Sequence, residues 1–338
     1  MGRCILLSAA EAATHGLSIF RPASPNAQSI VNLAILAFVV TGLIFIVVEG
    51  ILFYSVWRFR ERGEEQGDEP PQVYGSMPIE VAWTAAPALI VFFLVLVTAR
   101  TLWDIETTTP PTEPGDSALY VTVIGHQWWW EYVYESFDGR PLKFVTANEL
   151  HMPVSDSNTT RPLYLTLKSA DVCHSFWVPR FGGKVDLIPG HVNSLMYETK
   201  EVGLHLGQCA EFCGAQHANM LLRVVAESPE DFDRWLANEA QAAVDDPAVR
   251  EGQAMFLGQS CVNCHAVRGT PAKGTYAPDL THLMSRQTLA SGIIPNTPEV
   301  LAKWVRDPQE DKPGCLMPAF GLDERTQEQI VRYLLTLK

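Results

Sequence analysis

Hydrophobic positions fall into three successive patterns along this chain. The first is continuous. Residues 31–57 are apolar apart from interruptions such as Asn32 and Glu49, and residues 79–103 form a second run with Pro87 inside it. Each run exceeds the ~20 residues that cross the hydrocarbon core of a bilayer, and a membrane helix tolerates an internal proline. Length and flanks argue against core helices of a soluble protein, so residues 29–105 are predicted to form a transmembrane helical hairpin. Between the runs, Arg58-Phe59-Arg60-Glu61-Arg62 carries the cationic excess of a cytoplasmic loop. That polarity puts a tail at 1–28, and everything after Trp103, on the outer side.

The second pattern is alternation. Residues 119–124, 163–167, 191–197 and 220–226 read as short, β-branched strands with turn residues between them. Strands without long helices predict an antiparallel Greek-key sandwich or barrel over 118–227. An extended Pro- and Thr-rich linker at 106–117 joins it to the hairpin. The third pattern is helical. Residues 228–248 read as an acidic linker helix, with Ser228 as N-cap and Glu230 and Asp231 in the first turn. Segments 249–258 and 326–337 read as the first and last helices of an all-α domain over 249–338.

Composition narrows the partners. A chain of 338 residues suffices for two domains and an anchor, and a net charge of −13 with only 25 Lys and Arg excludes a nucleic-acid binder. An acidic surface suits a basic protein partner; it is equally an ordinary means of staying soluble. The seven cysteines divide as Cys4, Cys173, the pair Cys209 and Cys213, the pair Cys261 and Cys264, and Cys315. The pairs read as cofactor ligands rather than a disulfide framework. Cys4 lies too near Met1 for the hydrophobic region that precedes a lipidated cysteine.

The run Cys209-Ala210-Glu211-Phe212-Cys213-Gly214-Ala215-Gln216-His217-Ala218-Asn219-Met220 gathers two thiols, an imidazole and a thioether in twelve residues. Soft donors at this density suit copper. Cysteines four apart can aim both sulfurs at one point, where two thiolates would bridge a pair of metal ions. His217 and Met220 follow closely enough to fold back onto it. The second imidazole of a binuclear centre would be His174, in Asp171-Val172-Cys173-His174-Ser175-Phe176-Trp177. Two Cys and two His also make a closed structural zinc site, and Cys209 with Cys213 could form a disulfide in an oxidising compartment. Neither alternative uses Met220, and a mononuclear blue-copper site needs only one cysteine.

A second cluster, Cys261-Val262-Asn263-Cys264-His265, has the spacing of covalent haem c attachment. Each thiol would form a thioether and His265 would reach the iron; a chance match or a zinc half-site is the plainer alternative. Met317, in Leu316-Met317-Pro318-Ala319-Phe320, is the expected sixth ligand, since a Met opposite His raises the haem potential. Met284 reads as a packing residue in a helical stretch. Cys315 would lower the potential, and His282 reads as a residue at the surface or just behind the ligands.

On these residues the chain resembles subunit II of a caa-type cytochrome c oxidase, in which a cytochrome c domain is fused to the C-terminus. The run from Cys209 to Met220, with 171–190 ahead of it, resembles the CuA-binding segment. Gly252 and Phe256 against Tyr333, and Pro278-Asp279-Leu280, resemble small class I cytochromes c. The resemblance implies a cupredoxin fold for 118–227 and a binuclear CuA centre held by His174, Cys209, Cys213, His217, Met220 and the backbone carbonyl of Glu211. It further implies a magnesium ion on the Glu211 side chain at the contact with subunit I. Cys173 is no ligand by this match and is expected to be a small buried apolar residue.

In Gly125-His126-Gln127-Trp128-Trp129-Trp130-Glu131-Tyr132, the family takes in electrons at the first of the three aromatics, here Trp128, from an external cytochrome. Trp129 stands where Tyr is common. Strand alternation puts Trp128 and Trp130 on one face; packing or anchoring at a membrane surface is the plainer reading of such a run. Carboxylates in a membrane are costly and usually functional. Glu80, in Ile79-Glu80-Val81-Ala82-Trp83, matches the family's acidic residue at the mouth of a proton-uptake channel. Glu49 has no role to carry over and is expected to pair with a neighbouring subunit.

The implied function is electron relay. Electrons pass from cytochrome c or another donor protein to haem c, then CuA, then haem a of subunit I, where oxygen is reduced to water with proton translocation. Subunit I and other oxidase subunits are the implied partners. The implied location is the bacterial inner membrane, with both termini and both redox domains on the periplasmic side. The alternative class is a membrane-anchored electron carrier or copper-handling protein outside any oxidase, against which Glu80 and Glu211 argue. A nitrous oxide reductase would need a His-rich catalytic domain, and quinol oxidase subunits lack these Cys and His ligands.

Overall fold

The computed structural model describes residues 18–60, 72, 74–106 and 117–338. Cys4 and most of the expected tail, Glu61 and Arg62 of the basic loop, and residues 107–116 of the expected linker lie outside that set. The chain divides into two compact units, Gln28–Thr107 and the remainder.

The smaller unit is built on helices α1 (Pro25–Arg58) and α2 (Met77–Glu106, with Pro87 inside it). Their most apolar stretches have mean hydropathies of 2.8 and 2.3, and at most 6 % of either is buried. Phe45, Phe53 and Phe92 all point outward, each more than 60 % exposed. A soluble protein's core helix would bury these side chains, so an apolar solvent is what suits them. At 1.5 Å per residue α1 is about 50 Å long, more than a bilayer core requires. At the start of α2, the Ser76 N–H donates to Glu80 Oε1 (3.2 Å) and the Glu80 N–H donates back to the Ser76 carbonyl (2.9 Å). The Glu80 carboxylate thus closes its own helix's first turn.

In the larger unit, ten strands form a sandwich: β1 (Leu119–His126), β2 (Trp129–Phe137), β3 (Arg140–Ala147), β4 (Glu149–Pro153), β5 (Leu163–Ser169), β6 (His174–Trp177), β7 (Val185–Leu187), β8 (Asn193–Tyr197), β9 (Gly203–Cys209) and β10 (Leu221–Glu227). The sheets run β3-β2-β1-β5-β8 and β4-β10-β9-β6-β7. The sandwich is not wholly antiparallel. β1 pairs with β5, and β4 with β10, in parallel, because the intervening chain is long enough to carry each second strand back in the first one's direction. Over the first six residues of β2 burial alternates, sending Trp130, Tyr132 and Tyr134 into the core, before a register shift past Tyr134 breaks the period. Trp128 is not in a strand at all. It sits in the β1–β2 turn, after a cis Gln127–Trp128 peptide, so period-two alternation does not relate it to Trp130. Cys173 corrects the expectation of a buried apolar residue: it is exposed, immediately before β6 begins to be covered.

Helix α3 (Pro229–Glu239) begins at Ser228, whose hydroxyl accepts from the Asp231 N–H at 3.2 Å, and stops short of residue 248. The last ninety residues hold α4 (Arg250–Gly258), α5 (Cys261–Cys264), the small ribbon β11 (Thr288–Leu289) and β12 (Ile294–Pro295), α6 (Pro298–Arg306) and α7 (Glu324–Leu334) around a separate apolar core. α4 crosses α7 at Gly252, where an added Cβ would run into the Gln329 carbonyl, and Phe256 lies against Tyr333 at 5.5 Å between centroids. Met284 lies in a single 3-10 turn, not a helix. His282 is 3 % exposed rather than at the surface. Its ring nitrogens lie 2.6 Å from the Lys338 carbonyl and 3.1 Å from that of Gln241, tying the chain's end to the segment after α3.

This domain is joined to the sandwich by a polar seam. The buried Glu149 carboxylate accepts from the Gln287 and Thr288 N–H groups and from the Thr288 hydroxyl, at 2.7–3.1 Å, with Arg223 at 3.4 Å. A desolvated carboxylate with this many donors is satisfied only while both domains stay in place.

Candidate functional site

Strand β6 and the loop between β9 and β10 bring the soft donors to one point. Cys209 ends β9, and its neighbour Met220 sits just before β10; both are buried, as are His174 and Cys213. The two sulfurs are 3.8 Å apart, too far for the ~2.05 Å bond of a disulfide. Two sulfurs each about 2.3 Å from a shared tetrahedral metal would stand about 3.8 Å apart. Cys209 Sγ lies 3.9 Å from His174 Nδ1 and 3.2 Å from the Glu211 carbonyl oxygen. Cys213 Sγ lies 3.7 Å from His217 Nδ1 and 3.8 Å from Met220 Sδ. The arrangement is nearly symmetric: each sulfur has one imidazole and one weak donor of its own. A mononuclear site would leave half of these donors idle, so the set fits two soft cations bridged by sulfur.

The hydrogen bond between the two sulfurs splits them: Cys209 is held well below the usual thiol range, with His174 contributing, and Cys213, sharing that bond and partly desolvated, is pushed up. Metal binding would displace the remaining proton. His174 is fixed from behind. Its Nε2 lies 2.8 Å from Asp171 Oδ1, leaving Nδ1 toward the sulfur, and Trp130 stacks edge-on at 5.9 Å. Asp171 Oδ2 also accepts the Gln127 N–H at 2.6 Å. Asp171→Ala is therefore expected to weaken copper binding 10- to 100-fold, the usual cost of losing the group that orients a ligating imidazole. Competition with a copper chelator measures it; unchanged affinity would mean that packing alone holds the ring. Glu211 is exposed on the loop.

Beside this cluster opens a largely apolar cleft. Cys261, Cys264, His265 and Met317 border it, while Met284 does not. His265 Nδ1 lies 2.7 Å from the Pro278 carbonyl, which sets that nitrogen as donor and leaves Nε2 with a lone pair to ligate. Arg286 also lines the cleft, with a buried Nε that has no partner among the described residues. Apolar walls, an imidazole with its lone pair free, a thioether and an underused guanidinium fit a large planar iron cofactor bearing carboxylates. Met284 is spent elsewhere: its N–H donates to the Leu337 carbonyl and it packs on the helical core.

Trp128 belongs to both sites. It borders the cleft, and its indole N–H donates to the Cys213 carbonyl at 2.9 Å, as the Gln127 amide does at 2.7 Å. Gly214, at φ +114°, allows this approach; a Cβ there would press on the indole. The indole therefore faces the chain's own cleft. Asp171, Gln127, Arg286 and Lys312 are neighbours that sequence reasoning did not single out. Only Asp171 had a signal, its position three residues before His174.

Comparison with known proteins accounts for all three parts of the chain. Residues 119–228 match the family of cytochrome c oxidase subunit II periplasmic domains, 12–100 its transmembrane domain, and 249–338 cytochrome c. A cytochrome c oxidase subunit 2 of Alkalihalophilus pseudofirmus is 35 % identical, over 95 % of this chain and 91 % of the relative. That of Bacillus subtilis is 30 % identical, over 95 % and 92 %. Among solved structures, the periplasmic domain of subunit II of cytochrome oxidase of Bradyrhizobium japonicum is 29 % identical over 38 % of this chain and 96 % of that one, with a TM-score of 0.33. Copper and haem c are the cofactors these families imply, and a carrier outside an oxidase is set aside. The chain belongs to the cytochrome c oxidase subunit II family, as a haem-copper oxidase subunit of the kind that carries a C-terminal cytochrome c domain.

Proposed function

We propose that this chain is the electron-receiving subunit of its oxidase. A donor protein reduces haem c, electrons pass to the binuclear CuA centre and then to haem a of subunit I, and oxygen is reduced to water with proton pumping. The working division is a membrane hairpin at 29–105, a copper domain at 118–227 and a haem domain at 249–338. In this reading the hairpin crosses a bacterial inner membrane twice, with both redox domains on the periplasmic side.

The observation that carries the proposal is the position of Trp128, which borders the cleft of Cys261, Cys264, His265 and Met317 and is hydrogen-bonded to Cys213. Bound in these sites, copper and haem supply the one-electron chemistry that the side chains lack. The chain's own residues do the rest. His174, Cys209, Cys213, His217, Met220 and the Glu211 carbonyl would hold the metals in a donor set that is already assembled, which would keep rearrangement on electron transfer small. Cys261 and Cys264 would attach the haem, His265 would ligate it, and Met317 would supply the remaining ligand. Trp128 bridges the two with a conjugated ring and one hydrogen bond. The exposed Glu211 carboxylate is proposed to take magnesium against subunit I. Glu80 is proposed to stand at a proton-uptake channel, and Glu49 to pair with another subunit.

The test is metal and haem content of the detergent-solubilised chain with its EPR spectrum. About two coppers and one covalent haem per chain are expected, with one spin shared by both coppers, as thiolate bridging requires. Zinc in place of copper, in protein matured with copper available, would make the 209–220 loop structural and sink the proposal.

A further inference from the structure

Lys312 is a cation in a place that does not obviously call for one. It lies between α6 and α7, five residues before Met317, and is only 3 % exposed. A buried ammonium loses its hydration and must use its protons on the protein. All three are used. Nζ donates to the carbonyls of Trp128 at 2.8 Å, Asn219 at 2.9 Å and Ala290 at 3.1 Å. Each acceptor belongs to a different part of the molecule. Trp128 is in the β1–β2 turn beside Cys213. Asn219 is on the loop between His217 and Met220. Ala290 is in the haem domain's own β11–β12 turn, held left-handed at φ 55°.

Neighbouring contacts repeat the join. Ser291 Oγ lies 3.0 Å from both the Trp128 carbonyl and Asn148 Oδ1, and the Gln216 amide donates to the Pro313 carbonyl at 2.5 Å. The Leu221 N–H, at the start of β10, donates to the Ser291 carbonyl at 3.2 Å. The segment from Lys312 to Met317 is therefore stitched to the copper loop, with Lys312 as its only charged stitch to that loop among these contacts. Its partners are carbonyls, which give direction and length without neutralising the charge.

We propose that Lys312 is a positioning residue for electron transfer within the chain: by clasping the Trp128 and Asn219 carbonyls at once, it holds the haem-ligand loop at a fixed separation from the copper-ligand loop. The proposal rests on the haem and copper content inferred above. Electron tunnelling falls steeply with distance, so a seam that opens by an ångström slows transfer, whereas a seam that is merely less stable does not.

The experiment is Lys312→Met in the complete purified oxidase, with haem c reduced by a laser flash and the copper absorption followed. The expected result is slowing by about tenfold or more, the scale on which small misplacements act, with copper content, haem content and both resting spectra unchanged. Backbone amide exchange at 216–221 and 288–292 is expected to rise in the same protein. Lys312→Gln keeps an amide that reaches part of the carbonyl set and should fall between the two; it carries the test if the Met variant does not assemble. An unchanged rate in a variant that binds both cofactors overturns the proposal, even if its melting temperature falls. A wild-type chain without the shared-spin copper signal or the covalent haem would overturn the function proposed above instead, and amide exchange would then decide whether Lys312 clasps the seam.

Discussion

Replacing Cys213 with serine should cut oxygen uptake by the assembled complex by on the order of 100-fold or more, at least the scale of losing a group that merely supports a metal. The reason lies in what surrounds it. Cys213 Sγ is within 3.8 Å of Cys209 Sγ, His217 Nδ1 and Met220 Sδ, so it is the atom through which half the donor set is organised. A serine oxygen is a harder donor on a shorter bond, and it cannot bridge soft cations as sulfur does. Cys209 would keep His174 and the Glu211 carbonyl, enough for one metal. The variant should therefore bind about one copper, with a spin confined to it. Haem c, attached elsewhere, should remain fully reducible by an artificial donor. Two coppers with a shared spin in the serine variant would show that the Cys213 sulfur is not a required bridge.

Met317→Ala should abolish the Met–iron charge-transfer band and lower the haem potential by on the order of 100 mV or more, since axial ligands set potentials over a range of ~0.8 V. The haem would stay attached through Cys261 and Cys264 with His265 beneath it. The loop should also stay in place, because Gln309 Nε2 donates to the Met317 carbonyl at 2.8 Å and to that of Cys315 at 3.0 Å. Those bonds belong to the backbone and survive loss of the side chain. With its potential lowered, the haem accepts electrons from the donor less readily, so donor-driven turnover falls while flash-driven transfer to copper persists. An unchanged band would move ligation to another residue and refute the assignment. Met284 is poorly placed to supply it, with its N–H bonded to Leu337 and its side chain in the helical core.

The sequence made some of this legible because the relevant residues are close in the chain or carry a period. The donors between Cys209 and Met220 lie on one short loop, so their convergence needed no knowledge of the fold, and His174 followed from the chemistry lacking a second imidazole. The two membrane-length helices announce themselves by length alone. What was hidden depends on pairing. Gln127 meets Cys213, and Lys312 meets Trp128 and Asn219, across 86, 184 and 93 positions, and only sheet order and domain docking bring them together. Alternation misled at Trp128 because period two holds within a strand and ends where a turn begins. Cys173 misled for a related reason, since a typical burial preference says nothing about a residue one step before a strand is covered. The parallel pairings of β1 with β5 and β4 with β10 were invisible to any reading of strands one at a time.

In the proposed relay, the seam of Glu149, Ser291 and Lys312 would change the kinetic order of the reaction. A carrier that diffuses must find its acceptor at each turnover, at a rate set by concentration and by the salt that screens their charges. A carrier stitched in place has no encounter to make, and its transfer becomes first order, indifferent to dilution. Dependence on concentration and salt would then be confined to the outer step, in which a donor is proposed to meet the haem domain. In the proposed relay the copper domain would be relieved of partner recognition on its Trp128 face, and that face would be free to be shaped for contact with one haem alone.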